Sequence, residues 1–172
     1  MSSSAQANRV LVAVVTGDVG ARIQLWREKN DPDQARRLPP HATLCYKATV
    51  DDEEALEKQV HHAFATPVTV RLGPVKEFEH GEGTFYVHVG DTDGLDEARR
   101  RLYDDTHLAL TKRAPWTWHV TCVRYPRDPL HNIAALRAAK PELDFDLPWR
   151  IDRVAHLELR GDRYEPLAEW DV

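Results

Sequence analysis

The chain has 172 residues, is 42% hydrophobic and 30% charged, and carries a formal charge of -5, the composition of a globular domain with enough chain to bury a core. Its longest unbroken apolar run, Val10 to Val15, falls far short of the roughly 20 residues that a membrane-spanning helix needs, and the mean hydropathy is -0.56. Net acidity excludes a general duplex-DNA binder, which needs a basic face to displace counterions from phosphate.

Val10 to Thr16 is a β-branched run closed by Gly17-Asp18 and predicts a buried strand. Val19 to Asn30 follows at helical spacing until Asp31-Pro32 stops it. Leu38-Pro39-Pro40 is an extended entry to a strand over His41 to Tyr46. Asp51 to Glu54 supply an acidic first turn, and the apolar face of a helix runs from there to Thr66-Pro67. Two strands come next, Val68 to Phe78 and Thr84 to Val89, about a turn at His80-Gly81-Glu82-Gly83. A helix over Leu95 to Leu110 leads to a strand over Trp118 to Tyr125. A further helix starts at Asp128-Pro129, presents Ile133, Leu136 and Ala139, and ends at Lys140-Pro141. Ile151 to Leu159 and Arg163 to Trp170 close the chain as two strands about Arg160-Gly161-Asp162.

A shift of 78 residues places His41 on His119 and aligns strand with strand, helix with helix and one hairpin with the other, so the α+β chain reads as two copies of one unit. Each copy is headed by the same pattern, His41-Ala42-Thr43-Leu44 and His119-Val120-Thr121-Cys122. Residues i and i+2 of a strand share a face, so each pattern sets an imidazole beside a hydroxyl while the intervening residues point to the core. An approximate two-fold axis between the strands would bring all four polar groups into one cleft.

Two opposed imidazoles suit substitution at phosphorus without a metal. One takes a proton from the attacking oxygen, the other gives one to the leaving oxygen, and each step contributes about 10²–10⁴-fold in rate. Threonine hydroxyls can hold the non-bridging oxygens. Arg36 and Arg37, just before the Pro-led strand, are placed to steer a phosphate toward His41. Cys45, two residues past Thr43, is expected on the cleft face as a small wall residue, and both cysteines are expected reduced. The run Arg99-Arg100-Arg101 reads as a solvated helix face, as do His61-His62, and His80 as a solvated turn. Phe78, Tyr86, Trp116 and Trp118 are candidates to stack a base. No His-Glu-x-x-His stands in the chain, and no metal or other cofactor is expected.

The paired His-x-Thr motifs, their separation and the flanking order of elements resemble the 2H phosphoesterase superfamily, in particular its 2′-5′ RNA ligase-like cyclic phosphodiesterase branch. In that branch the second motif often continues to an arginine five residues after the histidine, and Arg124 stands there. Cys122 replaces a common Leu, and Cys45-Tyr46-Lys47 replaces a frequent Phe-Leu-Gly. The resemblance implies a duplicated, bilobal α+β fold, with two antiparallel-sheet lobes and outer helices about a central cleft, in one domain over residues 1–172. It implies metal-independent action on 2′,3′-cyclic or 2′-5′-linked nucleotide or RNA ends, with His41 and His119 catalytic, Thr43 and Thr121 binding phosphate and Arg124 binding substrate. In a straight strand Arg124 has the wrong parity to share a face with His119, so that role requires a bend near Tyr125-Pro126 or a reach from the strand end. A cytoplasmic monomer is expected, with no secretory signal at the polar start of the chain. A module that binds a nucleotide or RNA end without chemistry, and a metal-dependent hydrolase, are the competing readings.

Overall fold

The computed structural model describes residues 8–78, 83–104, 110, 116–124 and 133–172. The elements are β1 (Arg9–Val14), α1 (Gly17–Asn30), α2 (Pro32–Arg37), β2 (His41–Tyr46), α3 (Glu53–Ala63), β3 (Val68–Glu77), β4 (Phe85–Gly90), α4 (Asp93–Asp104), β5 (His119–Val123), α5 (Ile133–Ala139) with a 3₁₀ turn (Lys140–Leu143), β6 (Leu147–Ile151), β7 (Arg153–Arg160) and β8 (Arg163–Asp171). The expected turn at residues 80–82, the bend near Tyr125-Pro126 and the helix start at Asp128-Pro129 lie outside the described residues. Of the helix expected over Leu95 to Leu110, α4 covers the part to Asp104, and residues 105–109 lie outside the described residues.

The strands form one antiparallel sheet in the order β6-β3-β4-β5-β2-β1-β7-β8. The two expected sheets are therefore joined, and the join is the pairing of β2 with β5, the two motif strands. The terminal hairpins are not the equivalent pair that the 78-residue shift suggests. In the hairpin of β3 and β4 the second strand lies nearer the join, whereas in the hairpin of β7 and β8 the first strand does and β8 forms the edge. Two elements are additional to the expected set. In α2, Pro32 takes the first turn, where its missing N–H costs nothing, and Asp31 caps the helix by accepting from Gln34 N at 3.1 Å. β6 pairs with β3 at the edge of the sheet, the place where a strand tolerates Pro148.

Alternation along the strands divides the sheet into two faces. Leu11, Ala13, Ala42, Leu44, Val87, Val89 and Val120 are buried in a core shared with Ile23 and Trp26 of α1, Leu56 and Val60 of α3, and Leu95, Ala98 and Leu102 of α4. The opposite face carries a smaller cluster of Val10, Val12, Val14, Ala155 and Leu157, edged by Tyr46 and Tyr164. His41 pairs with Val14 and Thr43 with Val12, which places both on this second face. His156 is wholly buried on the core side, where Nε2–H donates to Ala48 O at 2.7 Å and Nδ1 meets Glu53 Oε1 at 2.7 Å, fastening β7 to the start of α3. No helix among the described residues is long and apolar enough to cross a membrane.

Candidate active site

The antiparallel contact of β2 with β5 has Ala42 opposite Val120. That register sets His41 opposite Thr121 and Thr43 opposite His119, so each imidazole faces the hydroxyl of the other motif. All four side chains line one cavity of about 290 Å³, together with Asn8, Val10, Gln34, Arg37, Leu38, Tyr46, Arg124 and Tyr164. In a chain of net charge -5, the described residues of this wall include two arginines and no Asp or Glu.

The two rings are held alike. His41 Nδ1 lies 2.7 Å from Pro39 O and His119 Nδ1 lies 2.8 Å from Thr117 O, each two residues back along the chain. A carbonyl only accepts, so Nδ1 carries the hydrogen in both rings and Nε2 is left to exchange a proton. Burial pulls the His41 pKa down to about 4 against the opposing bond to Pro39 O, and the positive charges of Arg27 and Arg124 and the neighbouring His119 add to the fall. Burial also lowers His119, opposed by Thr117 O and assisted by Arg124. Both imidazoles are therefore neutral at pH 7 in the free protein.

Past the threonines each motif strand carries a bulge. On β2, Thr43 pairs with Val12 and Cys45 with Leu11, which leaves Leu44 as the extra residue. On β5, Thr121 pairs with Tyr86 and Val123 with Phe85, which leaves Cys122 as the extra residue. A bulge shifts the alternation by one and bends the strand. Cys45, expected on the cleft wall, is thereby turned into the core at 0% exposure, and Tyr46 lines the cleft instead. The same shift brings Arg124 to the cleft, so the bend its role requires is the bulge at Cys122, earlier than Tyr125-Pro126. Both cysteines are buried thiols, and burial pushes the Cys122 thiol up to about 12, far from a thiolate nucleophile.

Buried polar groups fix these bends. Asp31, which caps α2 through one oxygen, accepts from Arg124 N at 3.1 Å through the other. Arg27, 1% exposed, donates to Gln34 O at 2.7 Å and to Leu38 O at 2.8 Å, holding the turn that delivers His41, and burial draws its own pKa down to about 10. At the other bulge Leu44 O accepts from Tyr103 Oη at 3.2 Å and Arg99 Nε at 3.3 Å. Arg99 is not on a solvated face: it is 8% exposed, with its guanidinium 3.7 Å from the Trp116 ring centroid and 4.8 Å from that of Tyr103. Arg100 and Arg101 of that run form the surface pairs expected, with Glu97 and Asp104.

The aromatic candidates separate in the same way. Phe78 and Tyr86 pack on each other at 4.2 Å between centroids and flank the His119 ring at 5.2 and 5.9 Å, whereas Trp116 backs Arg99 and Trp118 is buried with Nε1–H donating to Asp96. His61 and His62 are exposed on α3, and His80 lies outside the described residues. Arg37 lines the cleft while Arg36 pairs with Asp33 on the exposed side of α2. Sequence reasoning did not single out Arg27, Asp31 or His156; the Asp31-Pro32 pair, read as a helix stop, is also a helix start and was the one available signal. A groove of 420 Å³ between α1 and the 3₁₀ turn is larger, but both of its cations are engaged, Lys29 with the Glu142 carboxylate and Arg22 with Glu142 O. Among the described residues no three His, Cys, Asp or Glu side chains gather as a metal site.

A mixed α/β fold with one antiparallel sheet, and two histidines and two threonines facing each other across its central pair of strands, define a phosphoesterase-like scaffold. The family model described as the 2′-5′ RNA ligase superfamily matches residues 16–163, and the chain belongs to that family, whose members are 2H phosphoesterases. No curated relative matches the sequence. Among solved structures, E. coli LigT complexed with 3′-AMP is similar at 18% identity and TM-score 0.60, covering 96% of this chain and 98% of that one. A protein described as a phosphoesterase is similar at 17% identity and TM-score 0.61, with 96% and 98% coverage. E. coli LigT complexed with NADP+ gives 18%, 0.60, 96% and 97%. At these identities the likeness speaks for the fold.

Proposed function

We propose that the protein is a metal-independent phosphodiesterase acting on 2′,3′-cyclic phosphate ends of nucleotides or RNA, with His41 and His119 as the acid–base pair. The observation that carries this reading is the register of β2 on β5, which sets each imidazole opposite a hydroxyl in a cleft whose described residues include two cations and no carboxylate. The 3′-AMP of the similar LigT structure, a nucleotide phosphorylated on its ribose, is the kind of product this reaction would leave. The same reading treats residues 1–172 as one domain of two related halves, each headed by a His-x-Thr strand, and the bulges three residues past each histidine support it.

The substrate phosphate lies between the rings, with the Thr43 and Thr121 hydroxyls donating to its non-bridging oxygens and Arg124 balancing its charge. An anion there opposes the lowering that burial imposes on the imidazoles, so one ring can be protonated at neutral pH. His41, the more deeply buried base, is neutral and takes a proton from water as the water oxygen bonds to phosphorus. His119 in its imidazolium form gives its proton to the ribose oxygen as the P–O bond breaks. The product is a nucleoside monophosphate, and the proton gained by His41 restores the charge lost by His119.

Incubation with the four nucleoside 2′,3′-cyclic phosphates and identification of the isomer formed tests the reading. One isomer, 2′ or 3′, is expected to dominate, because only one ribose oxygen can face the acid. Tight binding of nucleotides or RNA ends with no turnover would replace the enzyme with a binding module.

A further inference from the structure

The cleft continues past the histidines and threonines. On the β5 side of His41 its described lining includes Arg124, and on the other side it passes Val10 of β1 and reaches Tyr164 of β8 and Arg37 at the end of α2. Arg37 is half-buried, and its guanidinium lies 5.7 Å from the centroid of the Tyr164 ring. A guanidinium held against a ring keeps its in-plane N–H donors for other partners, and the ring fixes the direction of the fork. Among the described residues no carboxylate pairs with Arg37, whereas its neighbour Arg36 is taken by Asp33 on the exposed side. A cation partly withdrawn from water in a concave wall with no carboxylate among its described residues is a receptor for an anion brought from outside.

We propose that Arg37 binds a second phosphate of the substrate, one nucleoside removed from the phosphate that reacts between His41 and His119. The preferred substrate is then an oligonucleotide end or a 5′-phosphorylated nucleotide rather than a bare nucleoside cyclic phosphate. This rests on the phosphodiesterase reading of the central site and extends it toward β8. Val10, Tyr46 and Tyr164 supply the apolar and aromatic surface over which the intervening nucleoside lies.

The test compares kcat/KM for a nucleoside 2′,3′-cyclic phosphate with that for the same nucleotide carrying a 5′-phosphate, in the wild type, R37Q and R36Q. A charge-assisted bidentate contact predicts about a tenfold preference for the 5′-phosphorylated substrate. The ratio should fall toward one in R37Q and persist in R36Q. A ratio near one in the wild type, or a ratio that survives R37Q, overturns the proposal. The same group is also read at equilibrium, as the Kd of a nucleoside 3′,5′-bisphosphate against that of the 3′-monophosphate, which needs no turnover. A Kd preference lost in R37Q without any turnover keeps the subsite and removes the phosphodiesterase reading; turnover with no preference in either measurement does the reverse.

Discussion

Tyr46 and Arg124 stand at matching places on the two walls of the cleft, each five residues past a histidine and each brought there by a bulge, at Leu44 on one strand and at Cys122 on the other. The two motifs are thus alike in backbone beyond the four residues that their sequences share, and they differ in what the backbone delivers: a phenol on one wall and a guanidinium on the other. The two walls are therefore unlike at this pair, as they are at Arg37 and Tyr164 farther along the cleft.

Replacing Arg124 by Gln removes the cation and leaves the backbone bond from Arg124 N to Asp31. The side chain is exposed, so the melting temperature should hardly move. Loss of a charge-assisted contact to phosphate predicts a fall in kcat/KM of about tenfold to a hundredfold. Steady-state kinetics on a cyclic nucleotide measure it, and an unchanged kcat/KM would remove Arg124 from the site.

Asp31 uses both carboxylate oxygens as acceptors, one from Gln34 N and one from Arg124 N, at 7% exposure. An Asn there has one acceptor oxygen and an NH₂ group, which must face one of those N–H donors. D31N should cost about 1–3 kcal/mol of stability by urea denaturation. Because part of the damage is a misplaced Arg124, the kcat/KM losses of D31N and R124Q should be less than additive in the double variant.

Arg99 and Arg100 are adjacent in sequence and opposite in energetic role. R99M leaves Leu44 O with Tyr103 as its donor and breaks the stack on Trp116, which predicts a loss of about 1–3 kcal/mol. R100M breaks only exposed pairs with Glu97 and Asp104 and should change stability by about 0–1 kcal/mol. Equal denaturation midpoints for the two variants would contradict the buried placement of Arg99.

The lowered imidazole pKa makes stability depend on pH in a definite direction. In the unfolded chain His41 titrates near 6.5, and in the folded protein near 4. Between those values the unfolded state binds a proton that the folded state does not, so the contribution is fully present above about pH 6.5 and is lost as pH falls toward 4. His119 is lowered as well and acts in the same sense. The urea midpoint should drop from pH 7 to pH 5, and H41Q should drop less than the wild type. An identical pH dependence in H41Q would show that His41 is not buried neutral.

What the sequence made legible follows from the range of the forces involved. The motif strand His41 to Tyr46 and the helices α1 and α3 declare themselves through local alternation, apolar periodicity and acidic first turns. The shared face of His41, Thr43, His119 and Thr121 was legible because a two-residue spacing on a strand fixes the face of a side chain up to the first bulge. Beyond that point the same rule put Cys45 on the wrong face and left Arg124 without a route, since no residue in either motif marks Leu44 or Cys122 as the extra one. β6 was hidden because Pro148 reads as a break until its edge position is known. Arg27, Arg99 and His156 look like surface residues in a linear reading. Each is buried by partners that the fold supplies: the carbonyls of Gln34 and Leu38, the Trp116 and Tyr103 rings, and Glu53 across 103 positions of chain.

The most direct test of the two-histidine site is hydrolysis of nucleoside 2′,3′-cyclic phosphates in excess EDTA by the wild type, H41A and H119A, with circular dichroism to verify folding. The account predicts turnover that survives the chelator and falls by about 10²–10⁴-fold in each folded variant. Full activity in either variant, or activity that the chelator abolishes and zinc restores, would contradict it.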